Sequence, residues 1–252
     1  MSGHSHWATI KHKKAASDAK KGKAISKLIK QIFVTVREGG ADANANPGLR
    51  LLMQKARQAG VSKDNMDRAI ARASGQGADG IQMEEVVYEA YAPGGAALLI
   101  SCVTDNKNRT TPEIRNIVEK RGGKLATSGS VAWMFKRKGF ITVKTADVPE
   151  EKLMELALEA GAEDIETGGD FYTVTTAPED FGKVQSALEQ AGIKPDSAEI
   201  SHEADSKLQL DVNAARKVVT VMQELEEAED VNNVYTNFEM TAELAAALAK
   251  ES

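Results

Sequence analysis

The chain has 252 residues, is 42% hydrophobic and carries a formal net charge of −5. This length suffices for two or three packed domains, and the apolar content excludes a disordered polymer. The single cysteine, Cys102, excludes a disulfide framework and a cysteine-based zinc site, so we expect a cytoplasmic protein. No run of 18 apolar residues is present and the N-terminus lacks the apolar core of a secretion signal, so no membrane partner is expected.

The charge is distributed very unevenly along the chain. Residues 1–75 carry 15 basic and 5 acidic side chains, residues 76–144 carry 10 and 7, and residues 145–252 carry 7 and 25. Such asymmetry predicts a basic end that meets a polyanion and an acidic end that does not.

The first 78 residues are predicted to form a basic helical domain. Apolar residues recur at spacings of three and four from Ala24 until Gly39-Gly40, as in a helix with one buried face. Asn46, followed by Pro47, and Ser62 are the predicted caps of a second and a third helix.

Residues 79–137 are predicted to begin an α+β domain. Two strands, Met83 to Tyr91 and Ala96 to Thr104, flank a Pro-Gly-Gly turn that is typical of a hairpin. Thr111 is the predicted cap of the following helix, with Pro112 in its first turn, and Ser130 to Phe135 is predicted to be a strand.

Residues 138–205 follow the order βαββαβ, which predicts an acidic, ferredoxin-like unit. The tail, residues 206–252, then supplies the one helix and one strand that the middle region lacks. We therefore expect a multi-domain α+β fold in which the ferredoxin-like domain is inserted into a discontinuous domain made of residues 79–137 and 206–252.

Catalytic constellations are hard to find in the sequence. His4, His6 and His12 have no cysteine or carboxylate pair to complete a metal site, and Cys102 lies in an apolar run that favours an inert thiol. The polar loop from Asp105 to Thr110 fits a capped turn and a phosphate or partner contact equally well. We expect no enzyme activity, no cofactor and no metal.

The basic end is the strongest functional signal. Within residues 1–30 there are eight lysines and one acidic residue, a density that repels itself unless a polyanion compensates it. Trp7 fits a stacking contact with a nucleobase and packing on the helices equally well. The predicted nucleic-acid-binding residues are Trp7, Lys11, Lys13, Lys14, Lys20, Lys21, Lys23, Lys27, Lys30, Arg37, Lys107 and Arg109. The sequence leaves the oligomeric state open, with a monomer as the default.

Several motifs together resemble the YebC/PmpR family, and the match runs from end to end. They are Gly3-His4-Ser5 with Trp7, Ile10 to Lys14, Asp18 to Lys23, Gly39-Gly40, Asn46-Pro47, Arg68-Ala69-Ile70, Tyr88-Glu89, Pro93-Gly94-Gly95, Thr104-Asp105-Asn106 with Asn108-Arg109-Thr110, and Gly129-Ser130-Val131. The chain departs from the family pattern at His6, where lysine is usual, and at Ala24-Ile25, where a bulky apolar pair is common.

The resemblance implies a non-enzymatic protein with a helical N-terminal domain and two α+β domains. Bacterial members are described as probable transcriptional regulators that bind DNA, whereas mitochondrial relatives resemble translational activators and bacterial members are also linked to the ribosome. Two functions follow as hypotheses: a DNA-binding transcriptional regulator, and a ribosome- or RNA-associated translation factor.

Overall fold

The computed structural model describes residues 18–75 and 83–250, and it begins with three helices. These are α1 (Asp18–Gly39), α2 (Pro47–Gln58) and α3 (Lys63–Ala73). The side chain of Asn46 accepts the Leu49 N–H at the start of α2, and that of Ser62 accepts the Asn65 N–H at the start of α3, so both predicted caps are confirmed.

The helical domain is built around the apolar face of α1. Ile32, Phe33 and Val36 of that face are buried against Met66 and other residues of α2 and α3. Val103, from the sheet that follows, packs into the same cluster. The helices are therefore joined to the next domain by shared apolar packing.

The first sheet combines strands from the middle and the end of the chain. Strands β1 (Glu84–Tyr91) and β2 (Ala97–Thr104) form the predicted hairpin, and helix α4 (Lys107–Lys120) and the short strand β3 (Lys124–Leu125) follow. Strand β8 (Val231–Thr236) pairs antiparallel with β2, which gives the order β3-β1-β2-β8. The tail thus completes the sheet that the hairpin begins.

Helices from the tail cover this sheet. Helix α7 (Val212–Glu227) buries Val218, Met222 and Leu225 in the core of the domain. A further helix, α8 (Ala242–Lys250), which the sequence analysis did not predict, adds Leu244 to the same core.

The second sheet lies between these two parts of the chain. Its elements are β4 (Phe135–Lys144), α5 (Glu150–Ala160), β5 (Ala162–Gly168), β6 (Phe171–Thr176), α6 (Phe181–Gln190) and β7 (Ser197–Ala204). All its pairings are antiparallel, in the order β5-β6-β4-β7. This is the ferredoxin-like βαββαβ topology, and it confirms the predicted fold class with one α+β domain inserted in the other.

The exact residue boundaries 1–78, 79–137 with 206–252, and 138–205 stay predictions. In the part of the chain that the structure describes, no helix is both long and apolar enough to cross a lipid bilayer.

Two local predictions were wrong. Helix α4 begins four residues before Thr111 and is capped by Asn106, whose side chain accepts the Arg109 N–H at 3.3 Å. Residues 130–134 do not form a strand, because they include a turn at Ala132–Met134 and β4 begins only at Phe135. The cap of α4 is a local contact, whereas the turn before β4 is held by Glu89, about 40 residues earlier in the chain.

Candidate nucleic-acid interface

Helix α1 divides its surface between apolar packing and exposed charge. Its apolar side faces α2 and α3, whereas Lys23 and Arg37 are exposed. Lys27 is half-buried, and the Lys23 ammonium lies 3.5 Å from the backbone carbonyl of Glu227. The described part of α1 therefore presents some of its predicted cations to solvent and holds others against the tail.

Several predicted residues cannot be placed by their side chains. Trp7, Lys11, Lys13 and Lys14 lie outside the described residues. Lys20 and Lys21 belong to the first turns of α1, of which only the backbone is described. Their role as phosphate contacts stays a prediction.

Lys30, one of the predicted nucleic-acid-binding residues, is instead engaged inside the protein. Its side chain is only 10% exposed, and its ammonium lies 3.2 Å from Oδ1 of Asp230 and also donates to the Glu229 carbonyl. The helical period places Lys30 beside Lys23 and Lys27, but only the tertiary fold brings Asp230 to it. Lys30 thus joins the helical domain to the first sheet.

Asp230 is the centre of this junction. Its other carboxylate oxygen, Oδ2, accepts from the Thr110 hydroxyl at 2.7 Å, the Arg109 guanidinium at 2.8 Å and the Thr104 hydroxyl at 3.1 Å. Burial raises the pKa of Asp230, but the hydrogen bonds from Arg109, Thr110 and Lys30 outweigh it and set the pKa at about 2. Asp230 is therefore a charged, fully engaged acceptor at neutral pH.

The polar loop from Asp105 to Thr110 is occupied by the same network. Asn106 caps α4, Arg109 also pairs with Asp105 at 3.0 Å, and Lys107 pairs with Glu84 at 2.8 Å. Each of the two predicted cations in this loop thus has an acidic partner within the protein. The geometry fits a capped turn better than a phosphate site.

A cleft of about 190 Å³ opens where the three domains meet. Glu38 of α1, Glu85 of β1 and Glu199 of β7 are among its lining residues. Burial raises the pKa of Glu38, nearby Arg137 lowers it, and the charges of Glu85 and Glu199 raise it further. Three carboxylates make this cleft unfavourable for phosphate.

Groups that could support catalysis are sparse in the described regions. Cys102 is fully buried, and burial raises the pKa of its thiol to about 12, which keeps it protonated. Within residues 18–75 and 83–250, no cluster of three or more histidine, cysteine or carboxylate side chains could hold a metal ion. The three N-terminal histidines lie outside these ranges.

The turn that follows β3 contains a feature that the sequence analysis missed. Trp133 is 70% exposed although its neighbours Val131 and Phe135 are buried. The buried carboxylate of Glu89 fixes this turn by accepting the backbone N–H groups of Gly129 and Val131, each at 2.6 Å, and of Ala132 at 2.8 Å. Burial raises the pKa of Glu89, but these hydrogen bonds lower it by more.

The basic composition of the sequence around Trp133 could have identified this region. Residues 120–138 contain six basic side chains and no acidic one, in a chain that is acidic overall. Trp133 lies within that stretch, and aromatic residues among basic ones are typical of nucleic-acid-binding surfaces.

The fold and the charge define a class of protein: three-domain α+β proteins that join a basic helical end to an inserted acidic domain. The model of the TACO1/YebC protein N-terminal domain matches residues 5–76, and that of the TACO1/YebC second and third domain matches residues 83–238. The chain belongs to the TACO1/YebC family.

Curated relatives match along essentially their whole length. A protein of Rubrobacter xylanophilus is 49% identical over 249 residues, covering 99% of this chain and 100% of the relative. One from Treponema pallidum is 50% identical over 244 residues, covering 97% and 99%. Both are named probable transcriptional regulatory protein, which supports a regulator family.

A solved structure shares the fold. The crystal structure of a conserved hypothetical protein from Aquifex aeolicus superposes with a TM-score of 0.82 at 44% identity. The match covers 94% of this chain and 97% of that one, so the three-domain arrangement is common to both.

Proposed function

We propose that this protein is a non-enzymatic regulator of gene expression that binds DNA through its basic N-terminal end and acts on transcription in the cytoplasm. The observation that carries the proposal is the concentration of eight lysines and one acidic residue in residues 1–30 of a chain with net charge −5. The names of the relatives support regulation of transcription.

The charges of the described residues also favour binding of a polyanion at the N-terminal end. The apolar face of α1 is buried against the other helices, so exposed Lys23 and Arg37 are directed away from the core. The interdomain cleft is lined by carboxylates and the inserted domain is acidic, so both are less favourable for a polyanion than the N-terminal end.

Two observations support a non-enzymatic role. The polar loop at residues 105–110 is engaged in capping α4 and in holding Asp230, and the Cys102 thiol is buried and protonated. The groups considered for catalysis are thus committed to structure.

The N-terminal contact is tested by replacing five lysines with glutamine. Each lysine that neutralises a phosphate of duplex DNA contributes about 0.9 to the slope of log affinity against log salt. Replacing all five is therefore expected to flatten the slope by about 4.5 units, measured by fluorescence anisotropy across a salt series. The variant carries Lys11→Gln, Lys13→Gln, Lys14→Gln, Lys20→Gln and Lys21→Gln.

A second variant removes the same total charge from other parts of the chain. Its substituted lysines are all exposed, and the salt slope is expected to stay within one unit of that of the unmodified protein. Equal slopes for the two variants would show that net charge, and not the N-terminal end, governs binding. The control carries Lys144→Gln, Lys152→Gln, Lys183→Gln, Lys194→Gln and Lys217→Gln.

A ribosome- or RNA-associated translation factor is the second candidate. The exposed arginine of α3, Arg68, donates to Asn65 at 2.7 Å and to the Asp64 carbonyl at 3.3 Å, both on its own helix. Lysine contacts alone do not distinguish DNA from RNA, because they recognise only phosphate.

Sedimentation separates the two candidates. A transcriptional regulator is expected to stay in the slow fractions of a sucrose gradient of cell lysate at moderate salt and to shift promoter duplexes in a gel. A protein that moves with ribosomal particles after nuclease removal of DNA, and returns to the slow fractions when the five N-terminal lysines are replaced, would instead establish the translation factor.

A further inference from the structure

The exposed ring of Trp133 is held in place on a rigid turn. Val131 and Phe135, each two residues away from Trp133, are 0% and 7% exposed and anchor the turn in an apolar cluster. The indole N–H donates to the Ser130 carbonyl at 3.0 Å. The ring therefore needs little further ordering to bind a ligand, which lowers the entropic cost of association.

A second aromatic ring lies beside it. The hydroxyl of Tyr91 donates at 3.3 Å to the same Ser130 carbonyl, and Tyr91 is 38% exposed. The polar edges of the two rings thus meet at one oxygen atom. The exposed indole and phenol rings leave apolar surface in contact with water. A flat aromatic ligand could cover this surface.

Two of the six basic residues at 120–138, Lys120 and Lys124, are the candidates for a phosphate contact, because the other four pair with acidic residues. Lys124 is paired directly opposite Tyr91 in the sheet and is exposed, as is Lys120 at the end of α4. Neither of these lysines has an ion-pair partner among the described residues, in contrast to Arg121, which pairs with Glu224. The Glu89 carboxylate beneath the turn is buried and directed at backbone N–H groups.

We propose that Trp133 and Tyr91 form a stacking site for an unpaired nucleobase, with Lys124 placed for the adjoining phosphate. Base stacking on aromatic side chains tolerates any sequence, and a base within a duplex is already stacked, so the site selects single-stranded segments. The polar residues of the turn, Thr127, Ser128 and Ser130, suit a wet nucleic-acid contact better than an apolar protein interface.

This inference rests on the proposed nucleic-acid binding but concerns a second surface, far along the chain from the N-terminal lysines. It adds a preference for single strands that phosphate contacts alone do not give. A duplex opened during transcription and a loop in structured RNA both offer such bases.

The test uses the full chain with Trp7→Phe, which makes Trp133 the only tryptophan. Titration with a 20-nucleotide oligo(dT) is expected to quench its fluorescence, whereas a duplex of equal length quenches it little. Trp133→Ala removes this fluorophore, so its affinity is measured by anisotropy of dye-labelled oligonucleotides, and it is expected to weaken oligo(dT) binding by about 5- to 150-fold and duplex binding by less than about twofold.

Two variants control for structure. Trp133→Phe loses the hydrogen bond to Ser130 but keeps a stacking ring, so its oligo(dT) affinity is expected to stay within about threefold of the parent. Leu158→Ala removes a side chain that is 49% exposed on the inserted domain and is expected to change nothing. A Phe variant as weak as the Ala variant would show that the hydrogen bond, and not stacking, matters.

The outcomes separate this inference from the proposed function. If oligo(dT) and duplex bind, lose affinity when the five N-terminal lysines are replaced and yet are insensitive to Trp133→Ala, the stacking site is refuted and nucleic-acid binding stands. If neither oligonucleotide binds at low salt, both are refuted.

Discussion

Replacing Asp230 by alanine is expected to lower the free energy of unfolding by about 3–5 kcal/mol. The substitution leaves Lys30 buried without its carboxylate and removes the acceptor for the Arg109 guanidinium and the Thr110 hydroxyl. A buried charge that loses its partner cannot be resolvated, so most of the loss comes from this penalty. Chemical denaturation followed by circular dichroism measures it.

The neighbouring Glu229→Ala variant is a matched control. It also removes one carboxylate, but the Glu229 side chain is exposed and only its backbone carbonyl accepts from Lys30, so a change within about 0.5 kcal/mol is expected. Restoring stability to Asp230→Ala by adding Lys30→Met would identify the unpaired ammonium as the cause. A loss below about 1 kcal/mol would show that water reaches the junction.

The same carboxylate gives a defined pH dependence. Because folding lowers the pKa of Asp230 from 3.8 to about 2, its contribution to stability is complete above pH 4 and is lost as the pH falls through 2. The difference in the free energy of unfolding between the unmodified protein and Asp230→Ala is therefore expected to become smaller as the pH falls from about 4 to about 2.

Glu89→Ala is expected to cost roughly 3–6 kcal/mol, because it leaves the backbone N–H groups of Gly129, Val131 and Ala132 without an acceptor. Glu89→Gln keeps one acceptor oxygen but turns an amide N–H₂ toward a donor, so an intermediate loss is expected. Denaturation gives the free energy, and hydrogen exchange of the three amides shows whether the turn itself opens.

The control for Glu89 lies on the same strand. Glu84→Ala removes an exposed carboxylate whose ion pair among the described residues is with exposed Lys107, and a loss of no more than about 1 kcal/mol is expected. If Glu89→Ala costs no more than Glu84→Ala and the three amides remain protected, Glu89 does not hold the turn.

Local sequence signals were sufficient where a short segment determines its own structure. Asn46 and Ser62 cap helices because each reaches a backbone N–H only three residues away. The ferredoxin-like order was likewise readable, since each of its strands and helices has its own hydrophobic period.

Local sequence signals do not reveal contacts between residues that lie far apart along the chain. Lys30 has the spacing of a surface lysine, but Asp230 lies 200 residues away. The start of α4 is a different case, because its cap, Asn106, is local and the prediction was misled by Pro112, which resembles a first-turn proline. The alternation from Ser130 to Phe135 resembles a strand, but Glu89 bends that segment into a turn.

The candidate site was predictable only as a distribution of charge. Counting lysines identified the N-terminal end, but counting cannot separate the cations that face solvent from those, such as Lys30 and Arg109, that have internal partners. Trp133 was missed because exposure depends on the tertiary fold.

The position of the inserted domain has a consequence for the chain path of the first sheet. Its entry and exit strands, β4 and β7, are antiparallel neighbours, and Phe135 lies directly opposite Ala204 at the point where the chain enters and leaves. The two ends of the inserted domain therefore lie about one interstrand spacing, or about 5 Å, apart. A hairpin loop is long enough to span such a distance, so the insertion fits into the chain path of the first sheet without separating the elements on either side of it.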